Sequence, residues 1–302
     1  MRQVKAMSAK FKNMNITGLL FVIPAALVVF LLLIYPILSS IYYSFTSKHL
    51  IKATYDWVWL KNFQFVLTNP DFYTAFLNSI KWTVFSIAGQ LLAGFATALA
   101  LNKIPKYSGF FRTLLIIPWA FPAIVIAFSW KWIFNDVYGF IPNLLTSMGI
   151  TDYNVNFFAD PGFVFGAVVF INIWFGAPLF MVNILSALKT IPSDQYEAAV
   201  MDGATAWQSF WSITVRHIRG VIGLLLVLRT IWVFNNFDLL YLITGGGPSD
   251  LTTTLPIFAY RAGWGMKQLG VSSAITIILL LFLLTLCFFY FKLLNKWERE
   301  DH

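Results

Sequence analysis

Residues 270–291 read GVSSAITIILLLFLLTLCFFYF, a run without one charged side chain. Crossing the hydrocarbon core of a bilayer takes about 20 mostly apolar residues, so this block has the length of a span. Working back along the chain, five more blocks qualify: Val221–Ile243, Phe163–Leu185, Phe110–Phe134, Ile80–Leu101 and Gly18–Tyr42. Lipid offers no hydrogen bonds to amides, so blocks of this length must be helices. Barrel strands would be about half as long and would alternate polar with apolar residues. The composition agrees: 59% of the 302 residues are hydrophobic and 11% charged, against roughly 25% charged in soluble domains. The reading is an all-α polytopic membrane protein with six transmembrane helices.

Placement of Lys and Arg sets the expected orientation. With the amino terminus in the cytoplasm, Arg2, Lys5, Lys10 and Lys12, then Lys103, Lys106 and Arg112, then Lys189, Arg216 and Arg219, then Lys292, Lys296 and Arg299 all fall inside. Only Lys48, Lys52, Lys61, Lys81, Lys131, Arg261 and Lys267 fall outside or at its margins. That bias places both termini in the cytoplasm. The net charge of +8 then reflects topology, and its scatter over several loops excludes a nucleic-acid face. The first block is longer than the 7–15 apolar residues of a cleavable signal and no small-x-small site follows it, so it reads as a retained span. Cys287 is the lone cysteine; it reads as a small apolar core residue.

Three outer connections are long: about Ser44–Ser79, rich in aromatics from Trp57 to Tyr73; Asn135–Pro161; and Gly245–Leu269, which opens with Gly245-Gly246-Gly247-Pro248. Each either docks an external partner or seals the ends of spans. The long inner connection lies between Leu185 and Val221 and contains IPSDQYEAAVMDGATAWQSFW, residues 191–211. Asp194 with Glu197, and Thr205 with Gln208, have the spacing of helix-capping pairs. Gly203 between them suits a left-handed helix terminus. Two short helices joined at a glycine hinge are therefore expected, with Trp207, Phe210 and Trp211 buried against the spans. Ala198, Ala199 and Ala204 keep the outer surface shallow. The acidic residues Asp194, Glu197 and Asp202 favour a protein partner over a lipid surface, which would select basic residues.

Polar side chains within spans are costly and face protein or water. Asn172, Asn183, Asn235, Asn236 and Asp238 are candidates for a cargo path, and Asn172 with Trp174 and Phe175, or Trp232 with Asn236, pairs amides with the apolar platforms that a sugar needs. Interhelical amide bonding is the other reading of the same residues. Arg229 is expected to snorkel to the cytoplasmic headgroups. Pro118, Pro122 and Pro178 are expected to kink their spans. No Gly-x-x-x-x-Gly-Lys-[Ser/Thr] phosphate loop, His-Glu-x-x-His or Gly-x-Ser-x-Gly occurs in the sequence, which argues against an ATPase or a hydrolase of those kinds.

Glu197-Ala198-Ala199, Asp202-Gly203-Ala204, Trp207, Phe210-Trp211 and Ile213-Thr214 resemble the EAA motif of permeases in binding-protein-dependent ABC importers. Leu60–Phe63, Pro118–Pro122, Trp130–Trp132, Asn172–Gly176, Asn235–Asp238 and Gly245–Pro248 are similar to the sugar-permease branch, relatives of the larger maltose-transporter permease subunit. The resemblance implies a type I ABC importer transmembrane domain in a bacterial cytoplasmic (inner) membrane. It implies a six-span domain over 18–292 between cytoplasmic tails, 1–17 and 293–302, with a coupling loop at 191–215. Glu197, Ala198, Ala199, Asp202, Gly203 and Ala204 would then engage the ATPase. Asn172, Trp174, Phe175, Gly176, Leu179, Trp232, Val233 and Asn236 would line the substrate path. The implied partners are a second, homologous permease subunit, two cytoplasmic ATPase subunits that hold ATP and Mg, and an extracytoplasmic solute-binding protein. The chain itself would bind no cofactor or metal and would be no enzyme. The implied cargo is a mono- or oligosaccharide; glycerol-phosphate or polyol import on the same machinery, and an ion-coupled secondary carrier, are the alternatives. Arg216 and Gly220 stand where the family has two prolines, so the exit from the coupling loop is expected to be continuously helical.

Overall fold

The computed structural model describes residues 16–299, with side chains from 21 to 294; of the tails expected at 1–17 and 293–302, residues 1–15 and 300–302 fall outside this range, and 293–299 continue the last helix. Five helices are long and apolar enough to cross a membrane: Phe21–Ser44, Pro70–Lys103, Val164–Leu188, Ala206–Phe234 and Leu269–Leu294. The bent pair Pro105–Ala120 and Ala123–Ile133, whose halves meet at 97°, makes six when it is counted as one broken span. All six expected blocks are therefore found in helices, but the third is not one rod. Pro122 has no amide proton to give and Phe121 before it is extended, so the helix stops and restarts there.

The described residues divide into two compact units. The smaller comprises residues up to Val66 with Ala262–Ile277. It contains α1 (Ile16–Val29) and α2 (Tyr35–Ser44), joined by a π-helical turn. From Phe21 to Leu38 every side chain is exposed, as expected of a rod that is apolar all round and lies in lipid or against another subunit. Beyond α2 the chain folds back as a small cap. Val58 N–H bonds the Phe45 carbonyl at 2.8 Å and Phe45 stacks on Trp57 at 5.6 Å. Asn62, at the start of α3 (Lys61–Thr68), donates to the carbonyls of Ser44 and Thr46, each at 2.8 Å. The aromatic-rich first outer loop is thus a folded cap.

The larger unit spans Leu67–Arg261 and resumes at Ile278. Its main contact joins α4 (Pro70–Lys103) to α8 (Val164–Leu188), with α5 (Pro105–Ile116), α6 (Ala123–Ile133) and the short α7 (Phe140–Ser147) between them in sequence. Trp82, Ile171, Phe180, Met181, Ile184 and Leu185 are fully buried in its core. Pro178 lies inside an unbroken α8. After α9 (Ser193–Met201) and α10 (Ala206–Ser209), a π-helical turn leads into α11 (Arg216–Phe234) without interruption. The expected continuous exit from the inner loop is present. The fifth block is broken further on, at Asn235–Phe237, and continues as α12 (Asp238–Thr244), which ends on left-handed Gly245. The last helices are α13 (Leu255–Tyr260) and α14 (Leu269–Arg299).

The third outer loop is held tightly. Asn78 donates to the carbonyls of Asp250 and Thr253 at 2.9 and 3.2 Å, and Ser79 Oγ accepts from Leu255 N–H at 2.8 Å. Asp250 pairs with Arg261, whose guanidinium also donates to the Gly245 carbonyl at 2.7 Å. Hydrogen bonding to Arg261 holds the Asp250 carboxyl below its usual range.

Candidate functional site

Two places concentrate polar chemistry. The first lies where α4, α8 and α11 meet. Asn172 on α8 is 1% exposed; its carbonyl accepts from Gln90 Nε2 on α4 at 2.9 Å. Gln90 Oε1 accepts two bonds from Arg229 on α11, from Nε at 3.0 Å and Nη2 at 2.7 Å. Arg229 is 4% exposed, and its guanidinium carbon lies 5.9 Å from the Trp232 ring centroid. The expected snorkelling of Arg229 is therefore corrected. Its charge turns inward because a buried amide oxygen satisfies two of its donors, which lipid tails cannot do. Gly176 makes room for this arrangement: a Cβ there would sit 2.3 Å from Gln90 Cδ and 2.4 Å from Arg229 Nη2.

The remaining path candidates separate. Asn172 Nδ2 and Asn236 Oδ1 are buried side-chain atoms with no hydrogen-bond partner among the described residues. Trp232 is 55% exposed, and Phe175 and Leu179 are half-buried. Val233 is a core residue whose carbonyl accepts from Trp82 Nε1 at 3.0 Å. Trp174 packs edge-on against Trp130 and lines an apolar cavity of about 410 Å³ with Leu114, Pro118, Phe170 and Pro178. Asn183 and Asn235 bond their own helices, at Leu179 and Ile231. Asp238 is exposed. Sequence reading missed Gln90, although a glutamine inside a span is itself a signal of buried polar pairing.

The second place is the inner loop. α9 starts at Ser193 after extended Pro192 and has no side-chain cap, so the expected Asp194 cap is corrected: Asp194 sits inside the first turn, where its charge favours the positive helix end. The Thr205–Gln208 capping box is present, with Gln208 Oε1 accepting from Thr205 N–H at 2.8 Å. Gly203 has φ +77°, and around it the Ala204 and Gly203 amides bond the carbonyls of Ala199 and Val200 at 2.9 and 3.0 Å. This is a Schellman ending, and only its left-handed residue turns the chain into α10. Tyr196 Oη and Thr214 Oγ1 are 2.8 Å apart, fastening α9 to the root of α11.

Glu197, Ala198, Asp202 and Gly203 are exposed, with Ala199 and Ala204 half-buried. Between them Val200 and Met201 are 68% and 86% exposed, an apolar tip that sequence reading did not single out. Trp207 and Trp211 are also exposed, which corrects the expectation that they bury; Phe210 alone turns inward, edge-on to Phe95 at 5.9 Å.

Residues 89–299 match the family described as binding-protein-dependent transport system inner membrane component. The trehalose/maltose transport system permease protein MalF of Thermococcus litoralis is 31% identical, over 94% of this chain and 95% of that one. The diacetylchitobiose uptake system permease protein DasB of Streptomyces coelicolor is 30% identical, over 93% and 88%. A solved bacterial ABC transporter involved in the import of the acidic polysaccharide alginate superposes with a TM-score of 0.81, covering 98% of this chain and 99% of that chain at 20% identity, a likeness of fold. A six-crossing helical chain that matches this family model over most of its length belongs to the binding-protein-dependent transport system inner membrane components, the multi-pass permeases of ABC importers.

Proposed function

We propose that this permease imports a carbohydrate, received from an extracytoplasmic binding protein and moved by ATP hydrolysis on two cytoplasmic ATPase subunits. A second, homologous permease completes the path, and ATP and Mg are held by the ATPases. Both termini and the 191–215 loop face the cytoplasm. The observation that carries the reading is the inner loop: a glycine-hinged knob with an exposed Val200–Met201 tip and an acidic flank, tied by Tyr196–Thr214 to span five. An exposed apolar tip with charged neighbours fits a groove in a protein, and the tie passes the groove's movement to α11. Asn172 Nδ2 is a donor and Asn236 Oδ1 an acceptor without partners among the described residues, and Trp232 presents an exposed ring, the group types that a sugar's hydroxyls and apolar faces need. The names of the relatives, a trehalose/maltose and a diacetylchitobiose permease, support sugar as the cargo class.

The test is a photo-crosslinker placed at Met201 in the assembled transporter. Capture of the ATPase subunit is expected. Capture of phospholipid alone overturns the docking assignment.

A further inference from the structure

The end of span one and the start of span six meet within the smaller compact unit. Span one, Phe21–Ser44, has 24 residues. At 1.5 Å each it rises about 36 Å, somewhat more than the ~30 Å hydrocarbon core, so the chain leaves Ser44 at headgroup depth. The next residues fold back onto the start of α14. Gly270 N–H bonds the Lys48 carbonyl at 2.9 Å, and Leu50 N–H bonds the Lys267 carbonyl at 2.7 Å. Gly270 allows the approach, because a Cβ there would lie 2.1 Å from the Thr46 carbonyl oxygen.

This crossing leaves a cavity of about 500 Å³, lined by Lys48, His49, Lys61, Asn62, Phe65 and Gln268 among others. Its charge is one-sided. The Lys48 ammonium lies 4.4 Å from the centre of the Tyr55 ring, and neither Lys48 nor Lys61 has a carboxylate partner among the described residues. His49 Nδ1 accepts from Ile51 N–H at 3.3 Å, which leaves Nε2 as the donor of the ring. Asp56 is the one carboxylate in this unit's sequence. Its backbone is tied to Ser47, and it is not a lining residue. Tyr42, Trp57 and Trp59 are exposed on the same cap, and such rings settle at the membrane–water interface. Span one itself is exposed from Phe21 to Leu38. A cationic pocket at headgroup depth, next to such a rod, meets lipid before it meets a soluble anion.

We propose that this pocket holds the headgroup phosphate of an anionic phospholipid, with Lys48, Lys61 and His49 as its donors and the acyl chains along span one. The lipid bridges the ends of spans one and six. By the orientation proposed above it belongs to the outer leaflet; the pocket itself does not rest on that orientation.

A photo-crosslinker at Gln268 in the full-length, assembled transporter reads the site directly. In vesicles of phosphatidylcholine with increasing phosphatidylglycerol, it is expected to capture phosphatidylglycerol well above its share of the bilayer. Lys48→Gln and Lys61→Gln are each expected to raise the half-saturating fraction about fivefold. Lys52→Gln, which removes the same charge from the cap outside the pocket, is expected to leave it unchanged. Capture in proportion to composition, equal effects of all three substitutions, or capture of the binding protein or second permease in place of lipid overturns the site. Loss of lipid capture on adding inorganic phosphate would make it a site for a soluble anion and overturn the lipid assignment. The leaflet is tested separately, by labelling Ser47→Cys in a Cys287→Ser chain with a membrane-impermeant maleimide. Reaction in intact cells is expected; reaction only in inverted vesicles overturns the orientation and leaves the pocket in place.

Discussion

Gly203→Val isolates the hinge of the inner loop from its surface. An added Cβ meets nothing within 4 Å, so the substitution creates no clash. Its whole effect comes from φ +77°, a left-handed conformation that costs an L-residue about 1–2 kcal/mol, more when β-branched. That energy is comparable with the two hydrogen bonds of the helix ending, Ala204 N–H to Ala199 and Gly203 N–H to Val200, each worth about 1 kcal/mol net. The ratio of docking to opened loops should therefore fall about tenfold in chains carrying Gly203→Val, at the middle of that range. Sugar uptake per ATP hydrolysed, measured in proteoliposomes with ATPase and binding protein, should fall with the docked fraction, by at most that factor. Asn tolerates the left-handed region, so Gly203→Asn should retain most uptake and Gly203→Ala should be intermediate. Equal uptake in all three variants, or Asn no better than Val, would refute the idea that backbone geometry at this position transmits work.

Gln90→Leu leaves the buried Arg229 without its acceptor; hydrogen bonds to a charged group contribute about 1.5–3 kcal/mol, so the unfolding midpoint in detergent should drop clearly, while Gln90→Leu with Arg229→Met should recover most of it. Gly176→Leu forces a side chain into Gln90 and Arg229 and should destabilise by about 1–3 kcal/mol, read by the same melt; an unchanged midpoint would mean the two residues lie elsewhere. The Asp250 carboxyl is held below its usual value by Arg261, so its stabilising contribution is complete above the unfolded value of about 3.9 and is lost as pH falls through the lower folded value. Amide exchange in Gly245–Tyr260, corrected for intrinsic rate, should accordingly be flat from pH 7 to about 5 and rise below about 4, whereas Asp250→Asn should show the faster exchange already at pH 7.

What could be read from sequence was local. The Thr205–Gln208 box and the left-handed Gly203 depend on neighbours within one turn, and the six apolar blocks depend only on length. The errors came from contacts that spacing does not encode. Arg229 looked free to reach headgroups, but its acceptor Gln90 is 139 residues away in the chain. Asp194 has a capping spacing, yet Pro192 sets the start of α9 and places Asp194 inside it. Val233 lies among path candidates in sequence, but its side chain is buried in the core while its main-chain carbonyl accepts from Trp82. The break at Asn235–Phe237 divides a span whose hydropathy runs on unbroken, because hydropathy records apolarity and is blind to lost amide bonds; the bend at Pro122 is one that proline chemistry announces.

The central claim is that this chain does its work only when a neighbouring ATPase drives it. Vesicles containing the permease pair, the ATPases and the binding protein should accumulate labelled sugar when ATP is supplied on the ATPase side, and should stop when ATP is replaced by a non-hydrolysable analogue. Accumulation by this chain alone, driven by a proton or sodium gradient without ATP, would contradict the account.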